Sequence, residues 1–138
     1  MTGTPAVARR ARVLIVDDER LNIQLLEVML EPEGYQLVTA GSGEAALEAV
    51  AHHPPDLVLL DIMMPGMTGY QVATRIKADP ATRHIPIVML SALDDRNSKA
   101  HGLSAGADAF LTKPVNRAAL CERVKDKFSL SSISLAGK

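Results

Sequence analysis

Short apolar stretches recur five times along the chain, and a helix-like segment follows each one. They are RVLIVDD (12–18), YQLVTA (35–40), LVLLD (57–61), IPIVMLSA (85–92) and AFLTK (109–113). VLIV and LVLL are continuously apolar and do not alternate, as strands do in a sheet covered on both faces. The intervening segments carry helix start and stop signals. ERLNIQLLEVML is stopped by Pro32 and Gly34, and Ser42 stands where an N-cap opens GSGEAALEAVAHH. GYQVATRIKAD closes before Pro80, RNSKAHGLSAGA is weakened by Gly102 and Gly106, and Asn116 opens NRAALCERVKDKF. Strands alternating with helices predict βαβ crossovers and hence an α/β fold with a five-stranded parallel, doubly wound sheet.

One folded unit is expected at 12–128, with a flexible tail at 1–11. A Ser-rich tail, or the start of a linker, is expected at 129–138. A chain of 138 residues is long enough to bury a core without disulfides or structural metal. The net charge of −1 gives no uniform field toward nucleic acid or membrane. No apolar run approaches the roughly 20 residues of a membrane span, and the amino-terminal arginines lead into no signal-peptide core. Cys121 is the single cysteine, which fits a reducing compartment. A cytoplasmic location is the expectation, with no direct contact to nucleic acid or membrane.

Ligands of such a sheet gather beyond the carboxyl ends of its strands. Read at those ends, the sequence offers Asp17–Asp18, Asp61, Ser91–Ala92 and Lys113–Pro114. Each has an ordinary alternative: a helix cap for Asp17, Asp18 or Ser91, a surface cation for Lys113. Their convergence on one edge favours chemistry. Clustered carboxylates repel unless a cation or proton is shared among them, and hard oxygen ligands with room for water or phosphate suit Mg²⁺. A carboxylate beside such an ion can attack phosphorus and form an acyl phosphate. The ion and the Lys113 ammonium would offset the charge on the transferred group. Pro65, Gly66 and Gly69 are suited to a tight turn after Asp61. The histidines at 52, 53, 84 and 101 lack metal-ligand spacing and read as solvated. Cys121 reads as core, and Met63, Met64 and Met67 as turn and packing residues.

Taken together, VLIVDDE, LVLLDIMMPGMTGYQV, IPIVMLSA and AGADAFLTKPV make the chain resemble the receiver domain of two-component response regulators, over roughly residues 12–128. The resemblance implies a flavodoxin-like (βα)5 fold with strand order 2-1-3-4-5. It implies that Asp61 is the phosphoacceptor and that Asp17, Asp18, Asp61 and the backbone carbonyl of Met63 hold Mg²⁺, with Asp17 acting largely through water. It places Lys113 and Ser91 on the phosphoryl group, Ser91 and Phe110 as the switch pair, and a cis bond before Pro114. Ser91 stands where Thr is frequent and Phe110 where Tyr is frequent. The implied partners are a histidine kinase or histidine phosphotransfer protein, and a downstream protein or output domain.

Two other function classes lack their required residues here. A Mg²⁺-dependent phosphohydrolase with an aspartyl-phosphate intermediate needs an acid/base close to the nucleophile, commonly two residues on, where Met63 stands. A dinucleotide-binding module needs a glycine-rich turn after the first strand, where this chain reads DDERLN. The expectation is therefore a signalling switch and not an enzyme. It is either a single-domain regulator or the excised amino-terminal receiver of a larger one, for example with a cyclic-dinucleotide output domain. One further expectation concerns the first helix. At about 100° per residue its apolar residues span an arc of roughly 220°, wider than a helix on a sheet needs. Leu21 and Leu25, at the edge nearest the site, are expected to dock the phosphodonor.

Overall fold

The computed structural model describes residues 10–92 and 96–130. Its elements run β1 (Arg12–Val16), α1 (Arg20–Leu30), a 3-10 turn (Glu31–Glu33), β2 (Gln36–Ala40), α2 (Gly43–His52), β3 (Leu57–Asp61), α3 (Gly69–Ala78), β4 (Ile87–Ser91), α4 (Arg96–Ala105), β5 (Ala109–Thr112) and α5 (Arg117–Leu130). The strands form one sheet in the order β2-β1-β3-β4-β5, and every pairing is parallel. The expected α/β topology is observed. Because β2 and β3 flank β1 on opposite sides, the strand order reverses at β1, and a crevice opens at the carboxyl ends of β1 and β3.

Every residue of β3 and β4 is buried, while β2 is half-exposed at the edge. That burial explains the unbroken apolar runs. One face packs Leu14, Val58, Leu60 and Met89 under Ala46 and Val50 of α2 and Val72 and Ile76 of α3. The other packs Ile15, Leu59 and Leu90 under Leu26 and Leu30 of α1 and Leu120, Val124 and Phe128 of α5. Leu59 is fully buried at the centre, so its truncation to Ala would cost about 2–5 kcal/mol.

The helices start where their capping chemistry allows. Ser42 Oγ accepts the Ala45 N–H at 3.1 Å, and Asn116 Oδ1 accepts that of Ala119 at 2.7 Å. Thr68 and Gln71 form a reciprocal capping box at the head of α3. Gly34 ends the 3-10 turn with a φ of 85°, a left-handed geometry that suits glycine.

Some boundaries move. β5 stops at Thr112, so Lys113 sits in the turn beyond the strand. α5 runs on through Leu130, two residues past the expected end of the folded unit. Cys121 lies half-buried at the rim of the core, its Sγ 3.8 Å from the Met29 carbonyl. Met64 is buried as expected of a packing residue, but Met63 is 65% exposed. The remaining residues of the tails, 1–9 and 131–138, lie outside the described residues.

Candidate functional site

The apolar runs of β1 and β3 both deliver a carboxylate as they leave the core. Asp17 follows β1 and is fully buried; Asp61 is the last residue of β3 and is 4% exposed. Asp18 is exposed beside them. One carboxylate oxygen from each of Asp17, Asp18 and Asp61 lies within 4.8 Å of the others. A buried carboxylate needs donors or a counter-charge, and these three share few. Asp17 Oδ1 accepts the Glu19 N–H at 2.9 Å, a bond that also turns the chain into α1. Lys113 reaches across from β5, donating to Asp61 Oδ1 at 2.8 Å and to Asp17 Oδ2 at 3.4 Å.

The electrostatics follow from that crowding. Burial pushes the Asp61 carboxyl above its ordinary range. The Lys113 hydrogen bond opposes the rise, and the negative charges of Asp17 and Asp18 add to it. Burial alone would lower the Lys113 pKa, but the hydrogen bond and charge of Asp61, with Asp17 behind them, raise it instead. Lys113 is thus held as a cation against two acids. Three oxygen donors on a hard, partly hydrated edge fit a divalent ion such as Mg²⁺, which keeps several waters and takes few protein carboxylates.

The other residues picked out in the sequence fall around this centre. Ser91 ends β4 in the buried layer, one strand from Asp61, since β3 and β4 pair Asp61 with Leu90. The Lys113–Pro114 bond is cis. Phe110 lies on β5 opposite Met89, further down the sheet than Ser91, which pairs with Thr112. Its ring packs against Gly102 of α4.

The loop after Asp61 is closed by a residue noted only as a turn-former. Gly69 donates its N–H to the Ile62 carbonyl at 2.8 Å. A Cβ there would overlap the Asp61 carbonyl oxygen and come within 2.8 Å of Ile62 Cα. The head of α3 is therefore seated on the backbone of Asp61 itself. A glycine eight residues from an acid carries that meaning only once the loop is seen to close.

Beside the carboxylates a cleft of about 490 Å³ opens between α1 and the turn after β5, lined by Asn22, Leu25, Met29, Lys113, Pro114 and Val115 among others. The apolar arc of α1 divides as its width requires. Leu26 and Leu30 are buried, while Leu21, Leu25 and Val28 are exposed.

The sequence and the fold have counterparts among known proteins. Residues 13–125 match the family described as the response regulator receiver domain. The chain belongs to that family. The receiver is 49% identical over 115 residues to the response regulator PleD of Caulobacter vibrioides, covering 83% of this chain and 25% of PleD. It is 41% identical to the phosphate regulon transcriptional regulatory protein PhoB of Pseudomonas aeruginosa, covering 82% of this chain and 49% of PhoB. Among solved structures, the receiver superposes on the chemotaxis protein CheY4 of Vibrio cholerae with a TM-score of 0.82 and 30% identity, covering 86% of this chain and 98% of that one. The chain thus spans between a quarter and a half of these curated relatives, and nearly all of CheY4. Among the described residues, no helix is long and apolar enough to cross a membrane.

Proposed function

We propose that this receiver accepts a phosphoryl group on Asp61, with Mg²⁺ bound by Asp17, Asp18, Asp61 and the Met63 carbonyl. The donor is a histidine kinase or a histidine phosphotransfer protein in the cytoplasm. The observation that carries this reading is Asp61 itself, a buried carboxylate facing two further acids and held by one cation. The Asp61 carboxylate attacks phosphorus, the bond from phosphorus to the donor's imidazole nitrogen breaks, and an acyl phosphate remains. When bound, Mg²⁺ neutralises charge on the phosphoryl oxygens. Lys113 donates to the same group, a reading supported by its 2.8 Å bond to Asp61 Oδ1. Ser91, one strand over, is the hydroxyl closest in register to follow the phosphoryl group, and Phe110 the ring whose packing would change with it. Hydrolysis of the acyl phosphate resets the switch.

Output belongs to a downstream protein or an attached domain, with the receiver unit at 12–128 as the input. The exposed edge of α1 supports the docking of the donor's helices on Leu21 and Leu25, since it borders the cleft that contains Lys113. The alternative of a phosphohydrolase gains nothing from the structure, because the residue two beyond Asp61 is the exposed Met63.

The test is phosphorylation by acetyl phosphate, read as intact mass. Wild type should gain one phosphoryl group with Mg²⁺ and none in excess EDTA, and Asp61→Asn should gain none. Undiminished incorporation in EDTA would overturn the metal assignment. For docking, Leu21→Ser with Leu25→Ser should slow transfer from the cognate kinase while leaving the acetyl phosphate reaction near wild type. A parallel fall in both would make α1 a structural element only.

A further inference from the structure

Two contacts at the head of α3 run in opposite directions, one onto the backbone of Asp61 and the other onto α4. Gly69 is seated on the backbone of Asp61 and Ile62, and the next residue, Tyr70, stacks on His101 of α4. The two rings lie 3.8 Å apart between centroids and 13° from parallel. Tyr70 packs partly onto the core beneath, whereas His101 is exposed. The residue after His101 is Gly102, where a Cβ would overlap the ring of Phe110 and come within 3.1 Å of Met89 Sδ. Gly102 therefore makes the seat that the Phe110 ring occupies, and the weakness it lends to α4 is secondary.

These contacts are contiguous. The Asp61 carbonyl touches Gly69, Gly69 is bonded to Tyr70, Tyr70 stacks on His101, and His101 is bonded to the residue beneath which Phe110 lies. We propose that Gly69, Tyr70, His101 and Gly102 form a positioning chain tying the backbone of the acceptor to the seat of the Phe110 ring. The inference rests on the phosphoacceptor reading of Asp61 and adds a route that runs over the α3–α4 face, separate from any path through Ser91. Its physical basis is rigidity at both ends. Gly69 cannot separate from Asp61 without breaking its bond to Ile62, and α4 can approach β5 only because Gly102 has no side chain. The flat stack is an adjustable joint between them. A shift of the Asp61 loop then moves Tyr70, and the stack carries α4 with it. Spatial continuity alone does not establish coupling, so the test must measure coupling directly.

Hydrogen exchange of the full chain is compared with and without beryllofluoride and Mg²⁺, a stable mimic of the phosphoryl group. The variants are Tyr70→Leu, His101→Leu, the double variant, and the ring-preserving Tyr70→Phe and His101→Phe. In wild type, the exchange rates should change both in residues 62–69 and in residues 96–110. Each leucine variant should keep the change in 62–69 and lose at least threefold of that in 96–110. The double variant should lose no more than either single one, because both remove the same joint. The phenylalanine variants should retain the response. A wild-type response at 96–110 in the leucine variants would overturn the proposal. So would losses that multiply in the double variant, or a change at 96–110 already complete without beryllofluoride, which would make the stack packing alone. If wild type shows no beryllofluoride response even at 62–69, the acceptor reading fails first and the chain built on it falls too.

Discussion

At the amino-terminal edge of the sheet, Asp56 and Asp108 each accept the N–H of the residue opening a neighbouring strand. Asp56 Oδ2 takes that of Arg12 at 2.7 Å, and Asp108 Oδ2 takes that of Ile87 at 2.8 Å, with Lys77 at 3.2 Å as counter-charge. At the carboxyl edge, Asp17 and Asp61 face each other and share one lysine. The side chain is the same at both edges. What differs is the company: each lower acid holds a backbone donor of a neighbouring strand, whereas Asp17, Asp18 and Asp61 are crowded within 4.8 Å of one another. The first arrangement stabilises the native state, and the second stores repulsion that a bound cation can relieve. The proposed function uses the edge where the carboxylates are crowded together.

The largest effect should come from removing the shared cation. Lys113→Ala leaves Asp17 and Asp61 facing each other without it, and takes one donor from the transferred group. Loss of one such preorganised donor costs about 10²–10³ in rate, so phosphorylation by acetyl phosphate should fall by about that factor. A rate within a few-fold of wild type would erase the distinction between the two edges.

A smaller effect of one sign is expected below, and of the other sign above. Asp56→Ala strands the Arg12 N–H and should cost about 1–3 kcal/mol in chemical denaturation. Asp61→Asn should instead stabilise by about 1 kcal/mol, or roughly 3–4 °C for a domain of this size. The pH dependence fixes the cause. Burial raises the Asp61 pKa in the folded chain above its ordinary 3.8. The native state therefore holds that proton to higher pH than the unfolded chain does. Stability contributed by this group is lost as pH rises through the window between the two values, and its carboxylate is a net cost at neutral pH. The advantage of Asp61→Asn should be full near pH 7 and should shrink as pH falls toward 3.8. An advantage that grows on acidification would contradict this account of the site.

The upper edge was legible in the sequence and the lower one was not, for a physical reason. Asp17 and Asp61 close continuous apolar runs, so burial of the run implies the position of the acid. Ser42 and Asn116 were legible as caps because a cap acts within three residues. Asp56 and Asp108 act across strands 44 and 21 residues away, and only strand register reveals what they hold. The same distance hid Tyr70 and His101. A lone histidine without ligand spacing reads as solvated, and nothing local to it shows a ring 31 positions earlier. Gly102 shows only its low helix propensity in the sequence, whereas the Phe110 ring beneath it appears only in the fold. Met63 and Met64 are neighbours of one residue type, and only their positions in the fold separate the exposed turn residue from the buried packing one.

One measurement compares all five carboxylates at once. After reaction with acetyl phosphate and Mg²⁺, borohydride reduces an aspartyl phosphate to homoserine, and peptide sequencing by mass spectrometry locates it. Homoserine should appear at position 61 and at none of 17, 18, 56 and 108. Homoserine at either neighbour in the upper cluster, at either lower-edge aspartate, or at no position at all would contradict the assignment of Asp61 as the phosphoacceptor.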